Sequence, residues 1–166
     1  NFNTSINIIS LKSGEPIFQY NINKPLHPAS NLKLITSAAS LALLKPEHKF
    51  KTVIYGETGL SGRKLNGNIY LKGFGEPDLT TERLWKMVRK LKNTGVKEIK
   101  GNLIADESFF DSKETGEGWA VKRYGDAAYS ARISALSINR NIVEVWLRSG
   151  EKRGSKAIVT LEPEND

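Results

Sequence analysis

Between Leu65 and Ile104 the sequence reads strand, helix, strand. Leu65 to Leu71 and Val96 to Ile104 have the character of strands. Between them Leu84, Met87, Val88 and Leu91 recur at i, i+3, i+4 and i+7, which makes one apolar face of a helix. Thr80 or Thr81 can cap its start, Glu82 lies in the first turn, and Gly95 can close the end. The tight loop Gly73-Phe74-Gly75-Glu76-Pro77-Asp78 leads into it. A unit of this kind buries its helix face on a sheet, so the chain must be a mixed α and β protein.

The flanking segments read the same way. Ile6, Ile8 and Leu11, then Ile17, Phe18 and Tyr20, predict two strands around Ser13-Gly14-Glu15-Pro16. A loop with Pro25 and Pro28 precedes a helix from about Ser30 to Leu44, stopped by Pro46. Phe50 to Tyr55 is a further strand, joined to Leu65–Leu71 by a Gly-rich turn. Residues 106–130 read as irregular, with Phe109, Phe110, Trp119, Tyr124 and Tyr129 as anchors of a long packed loop. Val143, Val145 and Leu147 then alternate along a strand, and a turn at Ser149–Ser155 leads to a strand around Ile158–Leu161. A domain boundary falls near residue 50, without a linker to mark it.

Composition narrows the chemistry. The chain has 166 residues, no cysteine and two histidines, which excludes a disulfide framework, a zinc ribbon and a catalytic thiol. Its longest apolar stretch, Ile35 to Leu44, is broken by Thr36, Ser37 and Ser40 and is too short to span a bilayer. The first residue is Asn and no leader pattern opens the chain, as in a mature or trimmed protein. Residues 82–100 hold seven basic residues against two acidic ones, five of the seven net positive charges. They read as the solvated face of the amphipathic helix, since no nucleic-acid reader motif accompanies them. His27 and His48 lack a third ligand, so no metal site is expected. Gly73-Phe74-Gly75 is no nucleotide fingerprint, because Asp78 stands where the third Gly belongs.

Three places fit the pattern S-x-x-K: Ser30 to Lys33, Ser61 to Lys64 and Ser149 to Lys152. The last two run into Gly62 and Gly150 and sit in turns. Ser30 instead opens the helix, where i and i+3 share a face, so its hydroxyl and the Lys33 amine can come within reach. The N–H groups at a helix start suit the oxyanion of acyl transfer. A lysine acts as a base only where burial or a nearby cation lowers its proton affinity. The run Leu32, Leu34, Ile35, Ala38, Ala39 is of the kind that packs into a core and provides this. By residue spacing alone a second reading fits as well: Ser30 caps a buried helix and Lys33 reaches outward. His27 is a second conceivable base for Ser30, but no partnering acid is evident.

The segment Pro28-Ala29-Ser30-Asn31-Leu32-Lys33-Leu34-Ile35-Thr36-Ser37-Ala38-Ala39 resembles the active-site helix of the class C low-molecular-mass penicillin-binding proteins, the serine-type D-alanyl-D-alanine carboxypeptidase/endopeptidase family. Asn directly after the nucleophile is characteristic of that family. Residues 65–79 are similar to its strand and Gly-Asp-Pro-type loop, with Glu76 where Asp is usual. The blocks Ile99–Phe110, Gly118-Trp119, Tyr129-Ser130-Ala131 and Ser134–Asn141 follow in order, so the likeness covers nearly the whole chain.

The resemblance implies an α+β fold. Residues 1–50 would be the first part of a β-lactamase/transpeptidase-like domain, a hairpin plus the active-site helix. Residues 51–166 would be an inserted α+β domain, incomplete here. It implies Ser30 as nucleophile, Lys33 as its general base, and a peptidoglycan stem peptide ending in D-Ala-D-Ala as substrate. It also implies acylation by β-lactams, no cofactor and extracytoplasmic residence. Asp106 aligns with an acid that helps recognise the stem-peptide side chain in some members; an ordinary acid of a strand-end turn fits it equally. Ser137-Ile138-Asn139 and Lys152-Arg153-Gly154 match the second and third active-site motifs loosely but fall, in register, within the inserted region. The chain therefore reads as a partial enzyme. The other reading is a non-catalytic fragment or interaction domain that binds cell-wall polymer or a partner enzyme through its basic face.

Overall fold

A computed structural model describes residues 3–117, 119 and 127–163. The chain divides into two compact units, residues 1–48 and 49–166.

In the first unit β1 (Ile6–Ile9) pairs antiparallel with β2 (Pro16–Tyr20), Ile6 opposite Tyr20 and Ile8 opposite Phe18. Gly14, at φ 76°, makes the turn, and its N–H donates to the Ser10 carbonyl at 2.7 Å. A single 3-10 turn, Ala29–Asn31, then feeds helix α1 (Leu32–Leu44). The apolar face expected to pack into a core is not covered. Leu34 is 73% exposed and Leu43 81%. The cause is a shortage of partners within the unit: a two-stranded hairpin and one helix have too little material to enclose apolar side chains.

In the second unit, β3 (Thr52–Gly56), β6 (Ile69–Gly73) and β8 (Leu103–Asp106) form one sheet. β4 (Leu60–Ser61), β5 (Lys64–Leu65) and β7 (Glu98–Ile99) form another. β6 runs antiparallel to β3 and parallel to β8, and α2 (Thr81–Asn93) is the crossover between the parallel pair. Each of the two strands expected to run unbroken through residues 65–71 and 96–104 is divided between the sheets. The corners Asn66-Gly67-Asn68 and Lys100-Gly101-Asn102 make the division. A Cβ on Gly101 would stand 2.4 Å from the Gly67 carbonyl, so the two backbones touch. Asn68 Oδ1 accepts from Asn102 N at 2.8 Å, and Asn102 O accepts from Ile69 N at 2.9 Å. Leu65, Leu71, Leu79, Val96 and Ala135 are the buried apolar residues, with Leu79 only 1% exposed. Burying a leucine fully stabilises by about 2 kcal/mol.

Helix α2 starts and stops where its sequence signals lie. Thr80 Oγ1 accepts from Arg83 N at 3.3 Å, and Gly95, at φ 97°, follows its last turn. Leu84, Met87 and Leu91 are half-buried, but Val88 is exposed, so the inward face is narrower than expected. Past β8 the chain is irregular. Phe109 lies 5.1 Å from Phe74 and Phe110 packs against Gly75, while Trp119 and Tyr129 are exposed. Gly118 and Tyr124 lie outside the described residues. β9 (Glu144–Arg148) and β10 (Ile158–Glu162) close the unit as an antiparallel hairpin with exposed faces.

Candidate active site

Ser30 occupies the 3-10 turn that precedes α1, and Lys33 is the second residue of the helix. The chain enters through Ala29 at φ 44°, in the left-handed region that a residue with a Cβ seldom adopts. Such an outlier directly before a candidate nucleophile is the kind of local strain that clusters at functional sites. Asn31 N donates to the Pro28 carbonyl at 2.9 Å and holds the turn. Neither Asn31 nor Pro28 uses a side chain to cap the helix, so nothing from them blocks the N–H groups around Ser30. Ser30 and Lys33 are both exposed and make no side-chain hydrogen bond or ion pair among the described residues. The burial that lysine needs to act as a base is therefore not supplied within this unit.

The other two S-x-x-K pairs are occupied elsewhere. Ser61 and Lys64 face each other across the β4–β5 turn at Gly62, and Lys64 pairs with Glu98 at 2.7 Å. Ser149 and Lys152 lie in the β9–β10 connection.

Asp106 ends β8 on the second unit, opposite Lys72 of β6 in parallel register. Lys72 Nζ donates to its Oδ2 at 2.8 Å and to Ser108 Oγ at 3.0 Å. Ser108 donates to the other oxygen, from its backbone N–H at 2.9 Å and its hydroxyl at 2.6 Å. The Lys72 bond first, then the Ser108 bonds, hold the Asp106 carboxyl down to about 2. Lys51 Nζ stands 4.6 Å from the Phe74 ring centre and Lys72 Nζ 5.9 Å, so a cationic and aromatic surface adjoins the acid. Sequence reasoning missed Lys72 and Ser108. The Asp-x-Ser spacing of a local turn could have found Ser108; Lys72 needs the strand register.

The loose second and third motifs have structural duties. Ser137 Oγ donates to the Ser134 carbonyl at 3.1 Å and accepts from Asn141 Nδ2 at 3.1 Å. Asn139 accepts from Thr81 N at 3.1 Å and donates to Thr81 Oγ1 at 2.9 Å. Lys152-Arg153-Gly154 forms a turn, not a strand. No group of three metal-ligating side chains occurs among the described residues, and none of their helices is long and apolar enough to cross a membrane.

A mixed α and β chain with a serine and a lysine one helical turn apart is what a serine acyl-transfer protein presents. A profile of the D-Ala-D-Ala carboxypeptidase 3 (S13) family matches residues 2–166, and the chain belongs to that family. It is 35% identical over 131 residues to the D-alanyl-D-alanine carboxypeptidase of an Actinomadura species, covering 79% of this chain and 24% of the relative. It is 31% identical over 110 residues to the D-alanyl-D-alanine carboxypeptidase DacB of Haemophilus influenzae, covering 66% of this chain and 23% of that one. The crystal structure of penicillin binding protein 4 (dacB) from Haemophilus influenzae superposes with a TM-score of 0.77 at 27% identity, over 91% of this chain and 33% of the other. The same protein complexed with a β-lactam gives 0.65 at 23% identity, over 91% and 31%. The chain thus spans about a quarter of the length of the curated relatives it matches.

Proposed function

We propose that the chain carries the nucleophile of a serine-type D-alanyl-D-alanine carboxypeptidase/endopeptidase acting on peptidoglycan stem peptides outside the cytoplasm. Residues 1–50 belong to its catalytic domain and 51–166 to an inserted domain. The observation that carries this reading is Ser30 at the mouth of α1, entered through left-handed Ala29, in a chain matched along its length by the S13 family. Ser30 Oγ attacks the carbonyl of the penultimate D-Ala while its proton passes to the Lys33 amine. The peptide C–N bond breaks, the departing D-Ala takes a proton, and water hydrolyses the ester to restore Ser30. N–H groups at the start of α1 stabilise the oxyanion. A β-lactam acylates the same hydroxyl. Asp106, with Lys72 beside it, orients the stem-peptide side chain. Asn139 and Lys152 take no part in the chemistry, because one is bonded to Thr81 and the other sits in a turn.

The test is mass spectrometry of the intact gene product after incubation with a β-lactam. The adduct is expected on Ser30 and is expected to vanish in Ser30→Ala. An adduct on Ser61, Ser137 or Ser149 would overturn the assignment.

A further inference from the structure

We propose that the outer flank of α2 docks the protein onto a membrane surface rich in anionic lipid. Trp85, Val88, Arg89 and Lys92 stand at i, i+3, i+4 and i+7 and so form one stripe of the helix, beside the half-buried stripe of Leu84, Met87 and Leu91. Trp85 is 58% exposed and Val88 52%. A shallow hollow of about 400 Å³ is lined by that stripe and Asn93. A smaller one beside it shares Val88 and Lys92 and adds Lys97. The Arg89 guanidinium lies 5.3 Å from the centre of the Trp85 ring, so a cation and an exposed indole are presented together.

Arg89, Lys92 and Lys97 form no ion pair among the described residues, and the neighbouring Glu98 is neutralised by Lys64 at 2.7 Å. The flank is therefore uncompensated positive charge around an apolar wedge. Charge alone would suit any polyanion. The wedge decides for a bilayer: an indole with its apolar body and polar N–H is at home at headgroup depth, with basic side chains on the anionic headgroups around it. A polyanion in free solution would engage the cations and leave Trp85 and Val88 in water.

Sedimentation with lipid vesicles tests this on the intact gene product. Vesicles of phosphatidylcholine mixed with phosphatidylglycerol are expected to carry the protein down, and vesicles of phosphatidylcholine alone to leave it in solution. Arg89→Gln and Lys92→Gln should each weaken the partitioning about fivefold. Trp85→Ser and Val88→Ser should weaken it as well. The vesicle-induced blue shift of fluorescence should disappear in Trp85→Phe, although Trp119 and Trp146 remain. All four side chains are exposed, and circular dichroism will confirm that each variant is folded. Equal binding to both vesicle types, no binding to either, or binding that depends on the cations but not on Trp85 and Val88 would each overturn the proposal. The last result would mark a site for a soluble polyanion.

Discussion

Asn139 grips Thr81 twice, accepting from its backbone N–H at 3.1 Å and donating to its hydroxyl at 2.9 Å. Thr81 N is one of the donors that an α-helix leaves unpaired at its start, so a loop residue 58 positions away completes the cap that Thr80 begins. Asn139, Arg140 and Asn141 all have positive φ, and the two asparagines at its ends tether this strained turn.

Replacing Asn139 by Ala removes both bonds and puts a residue without a polar side chain at φ 50°. The expected cost is about 1–2 kcal/mol, read from urea denaturation. Acylation by a fluorescent penicillin should survive in the folded variant. Its loss there would make Ser137-Ile138-Asn139 a working second motif.

Glu76 is 7% exposed and serves two partners, Arg83 at 2.5 Å and Thr52 Oγ1 at 2.7 Å. Arg83 also donates to the Asp78 carbonyl at 3.1 Å, so β3, the loop and α2 are tied through one carboxylate. Arg83→Ala leaves that carboxylate buried with Thr52 alone. Because Arg83 is half-exposed, the expected loss is about 1–3 kcal/mol, below that for a fully buried pair. Glu76→Asp, one methylene shorter, should lose one of the two bonds and cost about 1 kcal/mol. Equal stability of both variants and the parent in thermal melts would contradict this account.

The lowered Asp106 carboxyl carries a pH signature. Its value falls from 3.8 to about 2 on folding, so its contribution to stability is complete well above 3.8 and is lost as pH drops through about 2. The melting temperature of Asp106→Asn should therefore lie below that of the parent at pH 7. The two should converge as pH falls through the interval between those values. A difference that persisted at the lowest pH would place the effect in packing instead of charge.

Lys33→Arg separates a base from a mere cation. Guanidinium cannot give up its proton at working pH, so this variant should be nearly as slow to acylate as Lys33→Ala. General-base assistance is worth about a hundred- to ten-thousand-fold, and both variants should fall by that order. Normal acylation by the arginine variant would remove Lys33 from the chemistry.

Local signals were legible wherever they act within a few residues. Thr80 and Gly95 bound α2 as expected, Pro46 follows the end of α1, and Ser30 and Lys33 stood out by helical spacing. What could not be read depends on distant partners. The strands through 65–71 and 96–104 break because Gly67 meets Gly101, which neither segment reveals alone. Lys72 reaches Asp106 only through the parallel register of β6 and β8. The exposure of α1 was hidden for a related reason: an apolar run states that a face should be covered, not whether a cover is at hand. Trp85, set among the basic residues of α2, went unweighed until its exposure was seen.

The contact of Gly67 with Gly101 also governs how the second unit opens. Lys100 N is bonded to Leu65 O in one sheet, while Ile69 N is bonded to Asn102 O at the edge of the other, two residues away. Parting either pair requires the two corners to separate, and separating the corners frees both. The amide protons of Lys100 and Ile69 should therefore exchange with deuterium at a common free energy, as members of one foldon. Gly101→Ala, which forces the corners apart, should release them together.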